Sequence, residues 1–406
     1  MNIPSPSGPG PDPAETGWPS TISFRPEDLE IGDEPRTGTA NGQHDDELLR
    51  LLAHWGMNQR NWMIGFPVNL DFDYRPLADF LAVSLNNVGT AYAAAGYNIS
   101  TRPFERQVLE FFIRLTGGQV DQVAGYTTSG GTESNIFGVH LGMRRYPDAV
   151  FYTSADAHYS VDKITSLFDL DQVKIDTGDD GAMDLDALTD ACLRRRDRPA
   201  VVLATVGTTM TGAADDVAAV RPRLAAAGVH RVHLHVDAAF SGLIVPFIPG
   251  YGPWAFDAGA DSLAISGHKV IGLPVPAGIA LARREHLHRV GSHVTQVDAD
   301  DYTLTGSRDG LAPLMLWWAL RRLGRDGLER RARHCLHIAE YAEQRLRECG
   351  ADPRRVPHSI IVGFQRPADD VLETWHLLDA GEQSHLIAMP HLTEEHIDRL
   401  CQHLRP

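Results

Sequence analysis

The chain has 406 residues, is 43% hydrophobic and 22% charged, and carries a net charge of −16. A chain of that length buries one large core or two modest ones, and its acidic balance argues against nucleic acid or an anionic membrane as the main partner. No run approaches the ~20 apolar residues that span a bilayer, and the N-terminal MNIPSPSGPGPDPAETG lacks the basic start and apolar block of a secretory signal.

Residues 1–45 are rich in Pro, Gly, Asp, Glu and Ser, a composition that predicts a disordered or loosely draped arm. Order is expected from Asp45-Asp46-Glu47, read as the cap of a helix running from Leu49 to His54. The stretch 103–115 predicts an amphipathic helix with Phe104, Val108, Phe111 and Leu115 on one face, ended by Gly117-Gly118. From 120 to 285 short apolar runs at 150–152, 200–205, 232–236, 262–265 and 278–282 read as buried strands. Helical stretches at 184–195 and 217–227 lie among them. This alternation predicts an α/β domain with a mostly parallel sheet, whose ligand site lies beyond the strand C-termini. Helices at 311–323 and 328–346, strands at 359–364 and 384–389 and a helix at 393–404 predict a smaller C-terminal α+β domain. The expected organisation is an arm (1–45), an N-terminal segment with the large domain (46–305) and the small domain (306–406). Cys192, Cys335, Cys349 and Cys401 form no CxxC pair and no disulfide framework. They read as reduced thiols of a cytoplasmic protein, and no metal site is expected.

Four segments carry chemistry. Ser266-Gly267-His268-Lys269 follows the 262–265 strand, where a Lys fits either a surface loop or an amine poised for covalent work. Only three lysines occur among 37 basic residues, Lys163, Lys174 and Lys269. In so Lys-poor a chain, a retained Lys points to imine chemistry that Arg cannot copy. Lys163 reads as a salt-bridging helical residue and Lys174 as solvent-facing in a strand. Asp237, after the 232–236 strand, fits a turn, a metal ligand or a partner for a protonated pyridine nitrogen, and the small Ala239 leaves room for a flat ring. Thr128-Ser129-Gly130-Gly131-Thr132-Glu133 opens a helix and fits either a plain cap or a phosphate cradle with hydroxyls from Ser129 and Thr132. His158, in Ala157-His158-Tyr159-Ser160, fits a core histidine or an imidazole stacked on a cofactor.

Taken in order, Ser-Gly-Gly-Thr-Glu, His-Tyr-Ser, Gly-Thr-Thr, Val-Asp-Ala-Ala-Phe and Ser-x-His-Lys resemble the group II pyridoxal-phosphate decarboxylases, most closely the bacterial histidine decarboxylases and plant serine decarboxylases. The resemblance spans roughly 55–405. It includes Gly65-Phe66-Pro67-Val68-Asn69-Leu70, Asn86-Asn87-Val88-Gly89, Thr305-Gly306-Ser307-Arg308 and the stretch from Ser384 to His391. It implies the aspartate-aminotransferase-like fold (fold type I), pyridoxal 5'-phosphate as cofactor, an L-amino acid as substrate and a homodimer with sites at the interface. By the same resemblance Lys269 carries the cofactor as an imine, His158 stacks over its ring and Asp237 pairs with the ring nitrogen. Ala239 lies under the ring, Thr209 sits near it, and Gly131, Thr132, Ser266 and His268 hold the phosphate. Tyr302, in an expected loop, is a candidate proton donor. The family's Asp-Pro-Phe is replaced by Thr90-Ala91-Tyr92, its Asn-Gly-His by Asp309-Gly310-Leu311, and a His-Asp by Asp300-Asp301. These departures make an apolar or small polar substrate as admissible as histidine. Transamination, for which Arg308 and Arg366 are available as carboxylate clamps, and decarboxylation-coupled oxidation are the alternatives.

Overall fold

A computed structural model of the chain describes residues 23–33, 40–93 and 95–404. Much of the expected arm therefore lies outside the described residues. The first long helix, α1 (Ala40–Asn58), starts at Ala40 rather than at Asp45, so the acids read as a cap sit inside it. A carboxylate near a helix start fits either position, and residue type alone does not place the boundary.

Seven strands form the central sheet: β1 (Val123–Thr128), β2 (Val150–Ser154), β3 (Gln172–Ile175), β4 (Ala200–Thr205), β5 (Val232–Asp237), β6 (Ser262–Ser266) and β7 (Gly278–Arg283). Their order is β1-β7-β6-β5-β4-β2-β3. Only β7 runs antiparallel to its neighbours. β4, β5 and β6 are buried along their whole length, as expected for strands covered on both faces. β1 was not among the expected strands because Gly125 interrupts its apolar run. A side chain there would meet the carbonyl of Ala280 at 1.9 Å, so glycine is what lets β1 close on β7.

The helices flanking the sheet are α2 (Arg102–Leu115), α3 (Gly131–Arg145), α4 (Ser160–Phe168), α5 (Leu185–Leu193) and α6 (Val217–Ala226). Beyond the sheet, a small hairpin pairs β8 (Ser292–Val294) with β9 (Ala299–Asp301). The long α7 (Leu311–Glu348) contains Gly324 at φ 61°, ψ −176°, which breaks it into the two helices expected there. The C-terminal unit pairs β10 (Ile361–Gln365) with β11 (Gln383–Ile387) and ends in α8 (Glu394–His403). Among the described residues no helix is long and apolar enough to cross a membrane.

Arg308 and Glu105 tie the N-terminal segment to the sheet. They form a buried ion pair at 2.5 Å. Glu105 also accepts from the Thr127 backbone N–H and from Asn87. Arg308 donates to the Gly89 carbonyl at 2.7 Å.

Candidate active site

A cavity of about 500 Å³ opens beyond the C-terminal ends of β4, β5 and β6. All nine residues expected at the cofactor site line it: Gly131, Thr132, His158, Thr209, Asp237, Ala239, Ser266, His268 and Lys269. Each sits just past a strand or at the start of α3, where chain direction turns and side chains face the crevice.

The α3 entrance is a cradle shaped by missing atoms. A Cβ on Gly131 would lie 2.9 Å from both Ala239 Cβ and Ser266 Oγ. Glycine there keeps open the space a phosphate requires, at a helix N-terminus that favours anions. Ser129 does not line the cavity: its N–H and hydroxyl both donate to Glu133 at 2.7 Å, the plain-cap alternative.

Asp237 is the last residue of β5 and is buried. It accepts from Asn135 Nδ2 at 2.7 Å and from the Ala239 N–H at 3.0 Å. His158 Nδ1 accepts the Ser160 N–H at 3.2 Å, which makes Nε2 the donor of a neutral ring. Burial lowers the pKa of His158, against the opposing pull of Asp237. Burial likewise lowers that of His268, whose Nδ1 lies 2.8 Å from the Ala277 carbonyl. Lys269 has its amine 5.6 Å from the Phe240 ring centroid, and burial lowers its pKa while Asp237 raises it. A lowered amine pKa leaves more of the neutral, nucleophilic form.

The other lysines serve as controls. Lys174 pairs with Asp162 at 2.9 Å on the surface. Lys163 does not form the expected salt bridge; its ammonium lies 4.9 Å from the Tyr159 ring centroid, where the ring face supplies the negative partner.

Several expectations are corrected by the packing. Tyr302 is not at the cavity: its hydroxyl donates to the Gly125 carbonyl at 3.0 Å and accepts from Thr90 at 2.9 Å, wedging β1. Residues 90–92 and 309–311 also stay out of the chain's own cavity. Asp309 instead caps α7 through the Leu311 N–H at 2.7 Å. Neither proposed carboxylate clamp reaches the site. Arg308 is tied to Glu105, and Arg366 pairs with Asp369 and Asp379 on the surface.

Reasoning from the sequence did not assign the rest of the lining, which includes apolar Phe66, Pro67, Phe240, Ile361, Leu378 and Ile387 and polar Asn135, Tyr159, Ser160, Thr205, Thr208 and His385. The Gly-Phe-Pro run and the Ser-His-Leu-Ile strand are recognisable, but nothing local in them points to a shared cavity. Among the described residues the lining contains one carboxylate, Asp237, one amine, Lys269, and no guanidinium.

A family profile described as "Pyridoxal-dependent decarboxylase conserved domain" matches residues 77–353. The chain is 38% identical over 356 residues to a histidine decarboxylase of Morganella morganii, covering 86% of this chain and 94% of that one. It is 34% identical over 389 residues to serine decarboxylase 1 of Oryza sativa, covering 95% and 80%. Among solved structures, L-methionine decarboxylase from Streptomyces sp. 590 superposes with a TM-score of 0.83 at 21% identity, covering 94% and 97%.

Proposed function

The chain belongs to the family of pyridoxal-phosphate-dependent decarboxylases and converts an amino acid to its amine and CO2; on that premise, we propose the division of labour within its site and the class of side chain it accepts. The observation that carries the proposal is the charge inventory of the cavity, a single carboxylate and a single amine with no guanidinium among the described residues.

The residues present fit the cofactor. The glycine cradle at Gly131, flanked by Thr132, Ser266 and His268, would hold the phosphate. Lys269 would be the covalent anchor, Asp237 would pair with the ring nitrogen, and His158 and Ala239 would bound the ring. Thr209 sits exposed on the rim. Pyridoxal phosphate, when bound, supplies an electron-accepting ring that stabilises the charge left when CO2 departs. Asp237 keeps that acceptor protonated, and His158, neutral, orients the substrate carboxylate by donating from Nε2 without clamping it as an ion pair. A transaminase holds that carboxylate with a bidentate guanidinium. Here no guanidinium lines the cavity among the described residues, and apolar Phe66, Pro67, Ile361 and Ile387 share its wall, which would disfavour the charged group relative to the neutral CO2 it becomes.

The same inventory selects the substrate side chain. With the cofactor bound, Asp237 and Lys269 would both be engaged, so one chain's lining would offer an acidic or basic side chain no counter-charge. A neutral side chain fits, an uncharged imidazole included, with His385 as the polar contact. We further place the chain in the cytoplasm, which its four free cysteines support. A homodimer is supported by exposed Leu49, Leu52 and Met57 on α1 and by exposed Phe80 and Leu81. We divide it into a large part, 46–305, and a small one, 306–406, α7 beginning the second.

The test is a screen of the twenty common amino acids with purified, cofactor-loaded chain, reading amine by mass spectrometry, with Lys269→Ala alongside. One or more neutral amino acids should give amine, and Lys269→Ala should lose both product and the visible absorbance of bound cofactor. Amine from Asp, Glu, Lys or Arg would overturn the side-chain assignment. Amino transfer dependent on a keto acid would overturn the carboxylate argument.

A further inference from the structure

Behind Asp237 lies a line of buried polar side chains that decarboxylation, as described above, does not use. His233, His235 and Asp237 alternate along β5 and therefore share one face of the sheet. α3 packs on that face. On it Asn135, Gly138 and Gly142 stand at i, i+3 and i+7, one stripe of the helix. A Cβ on Gly138 would fall 2.0 Å from His235 Nδ1, and one on Gly142 would fall 2.9 Å from His233 Cδ2. The helix is thus cut away where the two imidazoles lie.

Hydrogen bonds connect the set end to end. Asn135 Nδ2 donates to Asp237 at 2.7 Å. His235 Nε2 lies 2.9 Å from Asn135 Oδ1, His235 Nδ1 lies 2.9 Å from Ser262 Oγ, and His233 Nε2 lies 3.1 Å from the same hydroxyl. The Asp237 carboxylate accepts from Asn135 Nδ2, which turns the amide N–H toward it. Asn135 Oδ1 must then accept from His235 Nε2–H. Burial pushes the His235 pKa down to about 3, so the ring is neutral and accepts at Nδ1 from Ser262. Ser262 in turn accepts from His233. Every bond in the line has one allowed direction, and all of them point toward Asp237.

The line ends at His233, whose buried Nδ1 makes no hydrogen bond and lies 3.8 Å from Asp261. Asp261 is held by Arg145, Arg221, His286 and the Leu234 N–H. Two guanidiniums already neutralise that carboxylate, so His233, Asp261 and His286 are not a cation site despite their proximity.

We propose that Asn135 and His235, backed by Ser262 and His233, are positioning residues that hold the Asp237 carboxylate aimed at the place the cofactor's ring nitrogen would occupy. The inference rests on the reading of Asp237 given above. Without His235, Asn135 loses the donor that fixes its amide and is free to present its oxygen to Asp237, which then loses its strongest partner.

The experiment compares dissociation constants, by equilibrium dialysis, for pyridoxal phosphate and for its 1-deaza analogue, whose ring nitrogen is replaced by C–H. Both attach to Lys269 alike, so the difference isolates the ring nitrogen. His235→Leu should weaken binding of pyridoxal phosphate about 10- to 100-fold, the scale of a buried polar group left unpaired. It should leave the analogue unchanged, and His235→Gln, which retains a donor and an acceptor, should recover most of the loss. Equal losses for both cofactors would reduce the line to a structural role, and no loss for either would sink it. Ser262→Ala removes a single oxygen and decides the matter if His235→Leu does not fold: a loss of about fivefold confined to pyridoxal phosphate is expected, and an equal loss for both refutes. Asp237→Ala separates the two readings. If it fails to reduce the preference for pyridoxal phosphate, the assignment of Asp237 is wrong. If it does reduce it and His235→Leu does not, only the positioning line is wrong.

Discussion

Gly138→Ala sets helix propensity against packing, and the two predict opposite signs. Gly138 lies inside α3 with ordinary helical backbone, and alanine in such a position is favoured over glycine by about 1 kcal/mol. The added carbon, however, would sit 2.0 Å from His235 Nδ1 and 2.2 Å from its Cε1. That ring cannot retreat without giving up its bonds to Asn135 and Ser262. Overpacking of this kind costs roughly 1–3 kcal/mol, and two buried hydrogen bonds add about 1 kcal/mol each. After subtracting the propensity gain, a net loss of about 2–4 kcal/mol is expected. Urea denaturation of the cofactor-loaded chain reads it, with Gly56→Ala as control. Gly56 lies in α1 with nothing within 4 Å of an added carbon, so that change should be neutral or stabilise by up to about 1 kcal/mol. If Gly138→Ala behaves like Gly56→Ala, the claim that α3 is cut to fit the histidines is wrong.

Arg308→Ala leaves Glu105 buried without its cation and should lower stability by about 3–5 kcal/mol; a loss under about 1 kcal/mol in thermal or urea melts would show that Glu105 is satisfied by Thr127 and Asn87 alone. Acid should destabilise the chain early. Burial pushes His233 and His396 down to about 4 and His235 and His391 to about 3, all from 6.5. The unfolded chain then binds protons that the folded chain refuses. Stability is complete above pH 6.5 and falls as pH drops through the range down to those values, by about 1.4 kcal/mol per pH unit for each histidine. Asp215, raised to about 6 by burial, acts in the opposite sense and offsets part of one histidine. Equal denaturation midpoints at pH 7.5 and 5.5 would contradict this.

Much of this protein is written locally. The apolar runs of β2, β5 and β6 and the polar residues that follow them are adjacent in sequence, so local pattern singles out His158, Asp237 and Lys269, which share one cavity. Their order, with the Gly-rich entrance to α3, is enough to identify the family resemblance. Chain direction supplies the reason: in a parallel sheet, the residue that ends a strand faces the crevice whatever lies elsewhere. The kink at Gly324 is legible too, as a gap between two periodic stretches.

What the sequence left open depends on partners far away along the chain. Arg308 reads as a free clamp until folding brings Glu105 against it, and Tyr302 as a proton donor until Thr90 and the Gly125 carbonyl claim its hydroxyl. Asn135, His233, His235 and Ser262 carry no local signal at all, and Gly138 and Gly142 read only as weak points in a helix. Their meaning arises when α3 docks on β5 and β6, because hydrogen-bond direction and the space for an imidazole are properties of the packed pair, not of either segment alone.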